Sequence, residues 1–315
     1  MTSDILRRSR PEETCDGQQL PTGTGIWHDR GVLTSNGYVL DERPGRLGPL
    51  IPTPAVERED RDALWHRLRT QGYLYLKGFL DPAVVLGFRE YYFANLVRTG
   101  LVAPDAAPVL GIAGPGVDRA RLREVLYETI VPGPEYEAFC TQPAIRDWFA
   151  WFLDDEVHLH RRKILRHTVP GQTGIGTATQ AHYDLLYLRG GTDRVLSMWI
   201  PLGDVPLERG GLCYLEASHV PVMAEETAAE AANLRPARSM TPDLPTLAEK
   251  YDTRWLVTDY DAGDVVVHSA HLIHAALDNV DSHGRLRLST DIRYQRVSDP
   301  IDWRWDHHWH DQDGL

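Results

Sequence analysis

Short β-type runs dominate the second half of the chain, and this pattern constrains the fold more than any other feature. From about Val157 onwards the runs are VHLHRRKILRHTV, AHYDLLYL, VLSMWIPL, GGLCYLEAS, RWLVTDY, GDVVVHSA and RLRLSTDIRYQRV. Turn residues separate them, which is typical of a β-sandwich or barrel. One Ala/Glu-rich segment, VMAEETAAEAANLR, interrupts the series and predicts a helical insert at about residues 221–250.

Helical segments are predicted to flank this β core. REDRDALWHRLRTQ places Leu64 and Leu68 at helical spacing, and Gly72 is suited to end that helix. A strand, YLYLKGF, follows it, and Asp81 and Pro82 suit the N-cap and first position of a second helix. AIRDWFAWFL predicts a further buried helix.

The domain organisation follows from length and composition. The chain has 315 residues, of which 42% are hydrophobic, enough for one large core. Residues 1–55 are rich in Pro, Gly, Thr and Asp and predict an extended N-terminal arm. We expect a single domain over residues 56–298 and a C-terminal tail over residues 299–315, rich in His and Trp.

Charge and cysteine content exclude several classes of partner. The net charge of -12 disfavours nucleic acid and anionic membranes as partners. Cys15, Cys140 and Cys213 form neither a disulfide framework nor a metal-binding pair. We find neither a secretory signal nor an apolar run of about 20 residues, so we expect a cytoplasmic protein with a small-molecule substrate. The oligomeric state stays open between monomer and homodimer.

QAHYDLLYL contains the first candidate chemistry. If this stretch is a regular strand, His182 and Asp184 point to the same side, whereas Tyr183 and Tyr187 point to the other. Burying an imidazole and a carboxylate together costs free energy unless a group such as a metal ion compensates. About one chance occurrence of this spacing is expected in such a chain, so the pair alone also suits a salt bridge.

The strand RLRLSTDIRYQ adds a second candidate feature. Its polar residues share one face and its apolar residues share the other, so the polar face would line an interior. The polar face comprises Arg285, Arg287, Ser289, Asp291 and Arg293. Such a row of arginines needs anions, supplied either by neighbouring carboxylates or by an acidic ligand.

From about Gly72 to Gln295 the sequence resembles the phytanoyl-CoA dioxygenase family of Fe(II)/2-oxoglutarate-dependent oxygenases. Four segments carry the resemblance: QGYLYLKGFLDPAVVLGFR, AHYD, MWIPLGDVPLERGGLCYLEASH and GDVVVHSAHLIHAALDN with the arginines that follow. The resemblance implies a mainly β fold with flanking helices around a double-stranded β-helix core of the jelly-roll or cupin type. It departs from the family at Ala276, where members often have Ser.

The resemblance also implies site residues. His182, Asp184 and His274 would bind Fe(II), with His271 as an alternative third ligand and His219 as a structural turn residue. An arginine would hold the distal carboxylate of 2-oxoglutarate. Arg285 is preferred by its distance from His274, and Arg287 is the alternative.

The implied reaction is hydroxylation of a C–H bond of a small molecule in specialised metabolism, with O2 as oxidant and succinate and CO2 as co-products. Desaturation, epoxidation or cyclisation at the same iron, and a catalytically silent jelly-roll binding protein, are the alternatives. Related halogenases have a small residue in place of Asp184, so its carboxylate disfavours halogenation. Candidate substrate contacts are Leu186, on the metal side of the strand, Trp199 and Arg166, with core or surface roles as competing interpretations.

Overall fold

A computed structural model describes residues 31–230 and 238–310 of the chain. The strands β1–β12 are Thr34–Ser35, Tyr38–Val39, Leu47–Pro49, Tyr73–Leu76, Val157–Leu159, Ile164–Thr168, Leu196–Pro201, Leu212–Leu215, Trp255–Val257, Val265–Ser269, His274–Ala276 and Arg287–Arg296. The helices α1–α7 are Arg61–Gln71, Pro82–Leu96, Arg119–Glu124, Pro134–Cys140, Pro143–Leu153, His219–Glu230 and Leu244–Lys250. A π-helical turn follows α3 directly, and short 3₁₀ turns join other elements.

The strands form two larger sheets and one short hairpin. The first sheet has the order β4-β10-β7-β12-β5, with β6 also paired to β12. The second has the order β11-β8-β9-β3, in which only the β3–β9 pairing is parallel. β1 and β2 pair with each other. The described part of the chain is therefore rich in antiparallel sheet, as the run pattern predicts.

Side-chain alternation gives the first sheet two different apolar faces. Its outward residues belong to one core cluster with the helices, and they include Leu74, Leu76, Met198, Ile200, Val265, Val267, Leu288 and Ile292. The residues between them face the second sheet. Tyr75, Trp199 and Val266 share a cluster with Tyr214 and Leu256 of that sheet. The helices thus cover one face of the first sheet, and the second sheet packs on the other.

The helix ends have local causes, and those at Gly72 and Asp81 agree with the sequence prediction. The Asp60 carboxylate caps α1 by accepting from the backbone N–H groups of Asp62 and Ala63. Gly72 ends α1 at φ +82°, and a Cβ there would lie 2.7 Å from the His219 ring. A side chain is therefore excluded by both conformation and space. Asp81 caps α2, as predicted.

The remaining predicted segments lie partly outside the described residues. Residues 1–30, with Cys15, fall outside, but β3 of the predicted arm pairs with β9. In the predicted helical insert, α6 and α7 are present, and residues 231–237 are outside. Of the tail, residues 299–310 are described. No helix in the described ranges is long and apolar enough to span a membrane.

Candidate metal centre and active site

Two histidines from distant parts of the sequence meet at the edge of the second sheet. His182 forms an isolated antiparallel bridge with His274, the first residue of β11. Their backbones exchange two hydrogen bonds, of 3.0 Å and 2.9 Å, and their ring centroids lie 4.3 Å apart. This backbone bridge therefore brings the two imidazoles together.

Local hydrogen bonds fix the orientation of both rings. His182 Nδ1 lies 2.9 Å from the carbonyl oxygen of Gln180, and His274 Nδ1 lies 3.0 Å from that of Leu272. A carbonyl oxygen only accepts, so each Nδ1 carries the proton and donates it. Each Nε2 is left with a lone pair, which is the form that binds a metal.

Asp184 completes the cluster. Its carboxylate is 1% exposed and accepts a hydrogen bond from Arg293 Nη2 at 3.0 Å and another from the Ser197 hydroxyl. His268 Nε2 lies 3.4 Å from the same carboxylate. These contacts hold the carboxylate in one orientation beside the two imidazoles, with 3.9 Å between His182 Nε2 and Asp184 Oδ1.

The surroundings favour the metal-binding protonation state of each group. Burial lowers the pKa of His274 well below its ordinary value, and it also lowers the pKa of His182, so both rings stay neutral. Burial alone would raise the pKa of Asp184, but the Arg293 guanidinium and His268 outweigh it. The pKa of Asp184 therefore lies well below its usual range and the group is ionised.

The donor set fits a divalent transition metal. One ligand atom from each of His182, Asp184 and His274 lies within 4.8 Å of the others, and all three residues are buried. Within residues 31–230 and 238–310, this is the only cluster of three or more such ligands. Two neutral imidazoles and one carboxylate are the set expected of a non-haem Fe(II) site with open positions.

A cavity of about 290 Å³ adjoins the cluster. His182 and His274 line one part of it, and the inner face of β12 lines another. That face contributes Arg287, Ser289, Asp291 and Arg293, so the predicted alternation of polar and apolar residues is found over these positions.

The structure separates the two arginines that the sequence could not distinguish. Arg287 lines the cavity and is 1% exposed. Arg285 lies before the first residue of β12, and its side chain lines a different cleft with Asp204 and Asp259. The preference for Arg285 therefore has no geometric support, because the regular alternation of β12 begins only at Arg287.

The predicted substrate contacts fall in two groups. Trp199 and Arg166 line the cavity. Leu186 belongs to a buried apolar cluster instead, so its prediction as a cavity residue is wrong. The cause is a 3₁₀ turn over Asp184–Leu186, which ends the strand alternation assumed for this stretch. For the same reason Tyr187, predicted to point away, lines the cavity.

Other histidines near the site have different roles. His271, the alternative ligand, lies 3.8 Å from Asp193 and outside the ligand cluster. His219 begins α6 and donates from Nε2 to the carbonyl of Arg69 at 3.0 Å, a structural contact that joins α6 to α1.

Trp305 of the C-terminal tail lines the cavity, and its role there was not predicted from the sequence. The guanidinium groups of Arg162 and Arg293 each lie 4.8 Å from the centroid of its ring. Trp305 is 2% exposed. The abundance of Trp in the tail was the available signal, but composition does not say where a tail packs.

Comparison with known proteins identifies the family. The family model of phytanoyl-CoA dioxygenase (PhyH) matches residues 68–286. The chain belongs to the phytanoyl-CoA dioxygenase family. It is thus an Fe/2-oxoglutarate-dependent oxygenase, and its His-Asp-His cluster is consistent with that chemistry.

Curated relatives are similar to this chain in sequence, and solved structures are similar to it in fold. The 1-deoxypentalenic acid 11-beta-hydroxylase of Streptomyces arenae is 25% identical over 252 residues, 78% of this chain and 84% of that protein. The Streptomyces exfoliatus enzyme of the same name is 24% identical over 251 residues, with the same coverage. The alpha-ketoglutarate-dependent carbocyclase SnoK from nogalamycin biosynthesis has a TM-score of 0.53 at 21% identity, covering 84% of this chain and 92% of that one. EctD from S. alaskensis has a TM-score of 0.51 at 17% identity, with coverage of 84% and 86%.

Proposed function

We propose that this protein hydroxylates an unactivated C–H bond of a small molecule in specialised metabolism, using Fe(II), 2-oxoglutarate and O2 and releasing succinate and CO2. The cluster of His182, Asp184 and His274 beside a cavity of about 290 Å³ carries this proposal. The names of the two Streptomyces relatives support hydroxylation of a small molecule as the reaction class.

The three ligands would hold the metal, which supplies the activation of O2 coupled to oxidation of the 2-oxo acid. The chain's own part begins with ligand orientation. The carbonyls of Gln180 and Leu272 hold the two imidazoles, while Arg293 and Ser197 hold the Asp184 carboxylate. Because these contacts exist within the protein itself, the ligands need little reorganisation to bind the metal.

We assign the distal carboxylate of 2-oxoglutarate to Arg287. Nη1 of this buried guanidinium donates to the Ser289 hydroxyl at 2.9 Å, and Nη2 has no acceptor among the described residues. Burial and the nearby Arg166 lower the pKa of Arg287 to about 10, so it is still a cation at neutral pH. A buried cation with a free donor needs an anion, and a carboxylate supplies charge and acceptor together.

The fold would set this geometry in place. We propose that the two facing sheets form a double-stranded β-helix within a single domain of residues 56–298. The N-terminal arm then adds β3 to one sheet, and the tail closes one side of the cavity with Trp305. Trp199 and Trp305, both buried, would help to exclude bulk water from the reacting C–H bond.

Visible absorption spectroscopy provides the first test of the proposed function. Anaerobic addition of Fe(II) and 2-oxoglutarate should produce a weak visible charge-transfer band, which His182→Ala should abolish. The matched control is His66→Ala, at an exposed position of α1. Absence of a band in the unaltered protein would overturn the proposal. A substrate screen followed by product mass then separates two groups of reactions, since one added oxygen means hydroxylation or epoxidation and loss of two hydrogens means desaturation or cyclisation.

A further inference from the structure

Arg166 is a cation in the cavity without an acidic partner. It lies on β6, opposite Ser289 of β12, and it lines the cavity with His182 and His274. Throughout the described ranges no carboxylate lies within 4 Å of its guanidinium, and it makes no hydrogen bond through its side chain. By contrast, Arg293 is paired with Asp184. Arg166 therefore has its charge available to a ligand.

Trp305 offers a second donor in the same cavity. Its indole Nε1–H is buried and meets no acceptor in the part of the chain that the structure describes. A buried N–H without an acceptor has lost its hydrogen bonds to water without replacement, which costs free energy. A ligand that brings an acceptor oxygen into the cavity would recover this cost.

The charges of the assembled site leave one positive charge without a partner. The cavity and the metal ligands together contain three arginines and two carboxylates, so their net charge is +1. The arginines are Arg166, Arg287 and Arg293, and the carboxylates are Asp184 and Asp291. Fe(II) adds two positive charges, and the 2-oxoglutarate dianion removes two. One positive charge remains in a site of low dielectric constant, where an unpaired charge is costly. A monoanionic substrate restores neutrality.

The walls of the cavity indicate the rest of the ligand. Ile164, Ala178, Trp199 and Leu212 contribute apolar surface. At about 290 Å³ the cavity suits a small molecule. We infer that the substrate is a monocarboxylic acid with a partly apolar body, whose carboxylate is bound by Arg166, with Trp305 as a second donor. This inference rests on the proposed function, because the charge balance includes the metal and 2-oxoglutarate.

This role differs from that of Arg287. The distal carboxylate of 2-oxoglutarate is already assigned to Arg287, and its 2-oxo acid end belongs at the metal ligands. Arg166 is therefore not needed for the co-substrate. It lies opposite Ser289 of β12 and lines the same cavity as Arg287 and His182, so a substrate carboxylate can bind to it beside the co-substrate.

Calorimetry on the Zn(II)-loaded protein with saturating 2-oxoglutarate tests this inference without turnover. The probes are cyclohexanecarboxylate and cyclohexanecarboxamide, which match in shape and differ in charge. The unaltered protein should bind the acid at least about tenfold more tightly than the amide. Arg166→Gln should remove this preference while affinity for 2-oxoglutarate changes less than about threefold. Arg166→Lys should keep part of it, because charge is retained without the planar fork.

Arg146→Gln is the matched control, since it removes the same charge from an exposed position on α5. It should keep the full preference for the acid. Trp305→Phe should weaken binding of the acid a few-fold. Equal binding of acid and amide by the unaltered protein would overturn the inference. So would loss of 2-oxoglutarate affinity in Arg166→Gln with the acid preference retained. Failure of the unaltered protein to bind 2-oxoglutarate would instead overturn the proposed function, and this inference with it.

Discussion

Replacing Arg287 with Gln is expected to remove most of the affinity for 2-oxoglutarate. Loss of one partner of a buried, hydrogen-bonded charge pair costs about 2–5 kcal/mol. Nη1 of Arg287 already donates to Ser289, so Nη2 supplies most of the contact with the ligand. We therefore expect a cost at the lower end, about 2–3 kcal/mol, which weakens binding about 30-fold to 150-fold.

The same substitution should leave the ligand-free protein at least as stable as before. Arg287 is 1% exposed and has no carboxylate within 4 Å among the described residues. Burial depresses its pKa to about 10, which shows that the folded protein disfavours this charge. A shorter, neutral amide removes that penalty, so the free energy of unfolding should stay equal or rise by about 1 kcal/mol. A loss of affinity in Arg287→Gln then cannot be attributed to unfolding.

Calorimetric titration of the Zn(II)-loaded protein with 2-oxoglutarate measures this effect directly. Arg285→Gln is the matched control, because Arg285 lies two residues earlier and lines the other cleft. It should bind 2-oxoglutarate as the unaltered protein does. If Arg285→Gln lost the affinity and Arg287→Gln kept it, the assignment from the cavity geometry would be wrong and the family spacing from His274 would be the better guide.

Three further predictions concern the metal, the pH and the core. Arg293→Met should weaken Zn(II) binding about 10-fold to 100-fold in a chelator competition, because Asp184 loses its ion-pair partner; unchanged affinity would contradict the positioning role. Burial lowers the pKa of His160 to about 4, so between pH 6.5 and 4 the unfolded chain binds a proton that the folded one does not. The free energy of unfolding should therefore fall by up to about 3 kcal/mol as pH drops through this window, and His160→Gln should flatten the decrease. Phe93→Ala, at a fully buried position of α2, should cost about 3–5 kcal/mol in urea unfolding, against less than about 1 kcal/mol for exposed Leu86→Ala.

The features that the sequence predicts well depend on local rules. The end of α1 at Gly72 and the cap of α2 at Asp81 were predicted, because both follow from short-range conformation and hydrogen bonding. The Asp60 cap of α1 follows from the same rule but was not predicted. The two faces of β12 follow from the same kind of rule, since alternation of side chains persists wherever a strand is regular. Arg287 and Leu288 accordingly lie on opposite faces.

The side-chain orientations that the sequence could not predict depend on the residue at which a regular strand ends. The turn hydrogen bonds Leu186 N–H to Tyr183 O and Tyr187 N–H to Asp184 O bend the chain immediately after the metal-binding pair. Leu186 therefore enters the core, and Tyr187 reaches the cavity. Nothing in QAHYDLLYL alone distinguishes this turn from a continuing strand. The position of Trp305 could not be predicted either, because it depends partly on contact with Arg162, which lies more than 100 residues earlier in the chain.

The arginine row of β12 shows how packing on one side of a sheet controls chemistry on the other. Leu288, Ile292 and Tyr294 anchor β12 in the core beneath the helices. Because side chains alternate with a period of two, this anchoring fixes Arg287 and Arg293 on the opposite face, six residues apart. At about 3.4 Å per residue, that spacing is about 20 Å of strand. Arg293 can therefore hold the metal-binding carboxylate while Arg287 stays free for a second anion. A one-residue slip would turn both arginines into the core, so the helix layer is as necessary to the site as the ligands themselves.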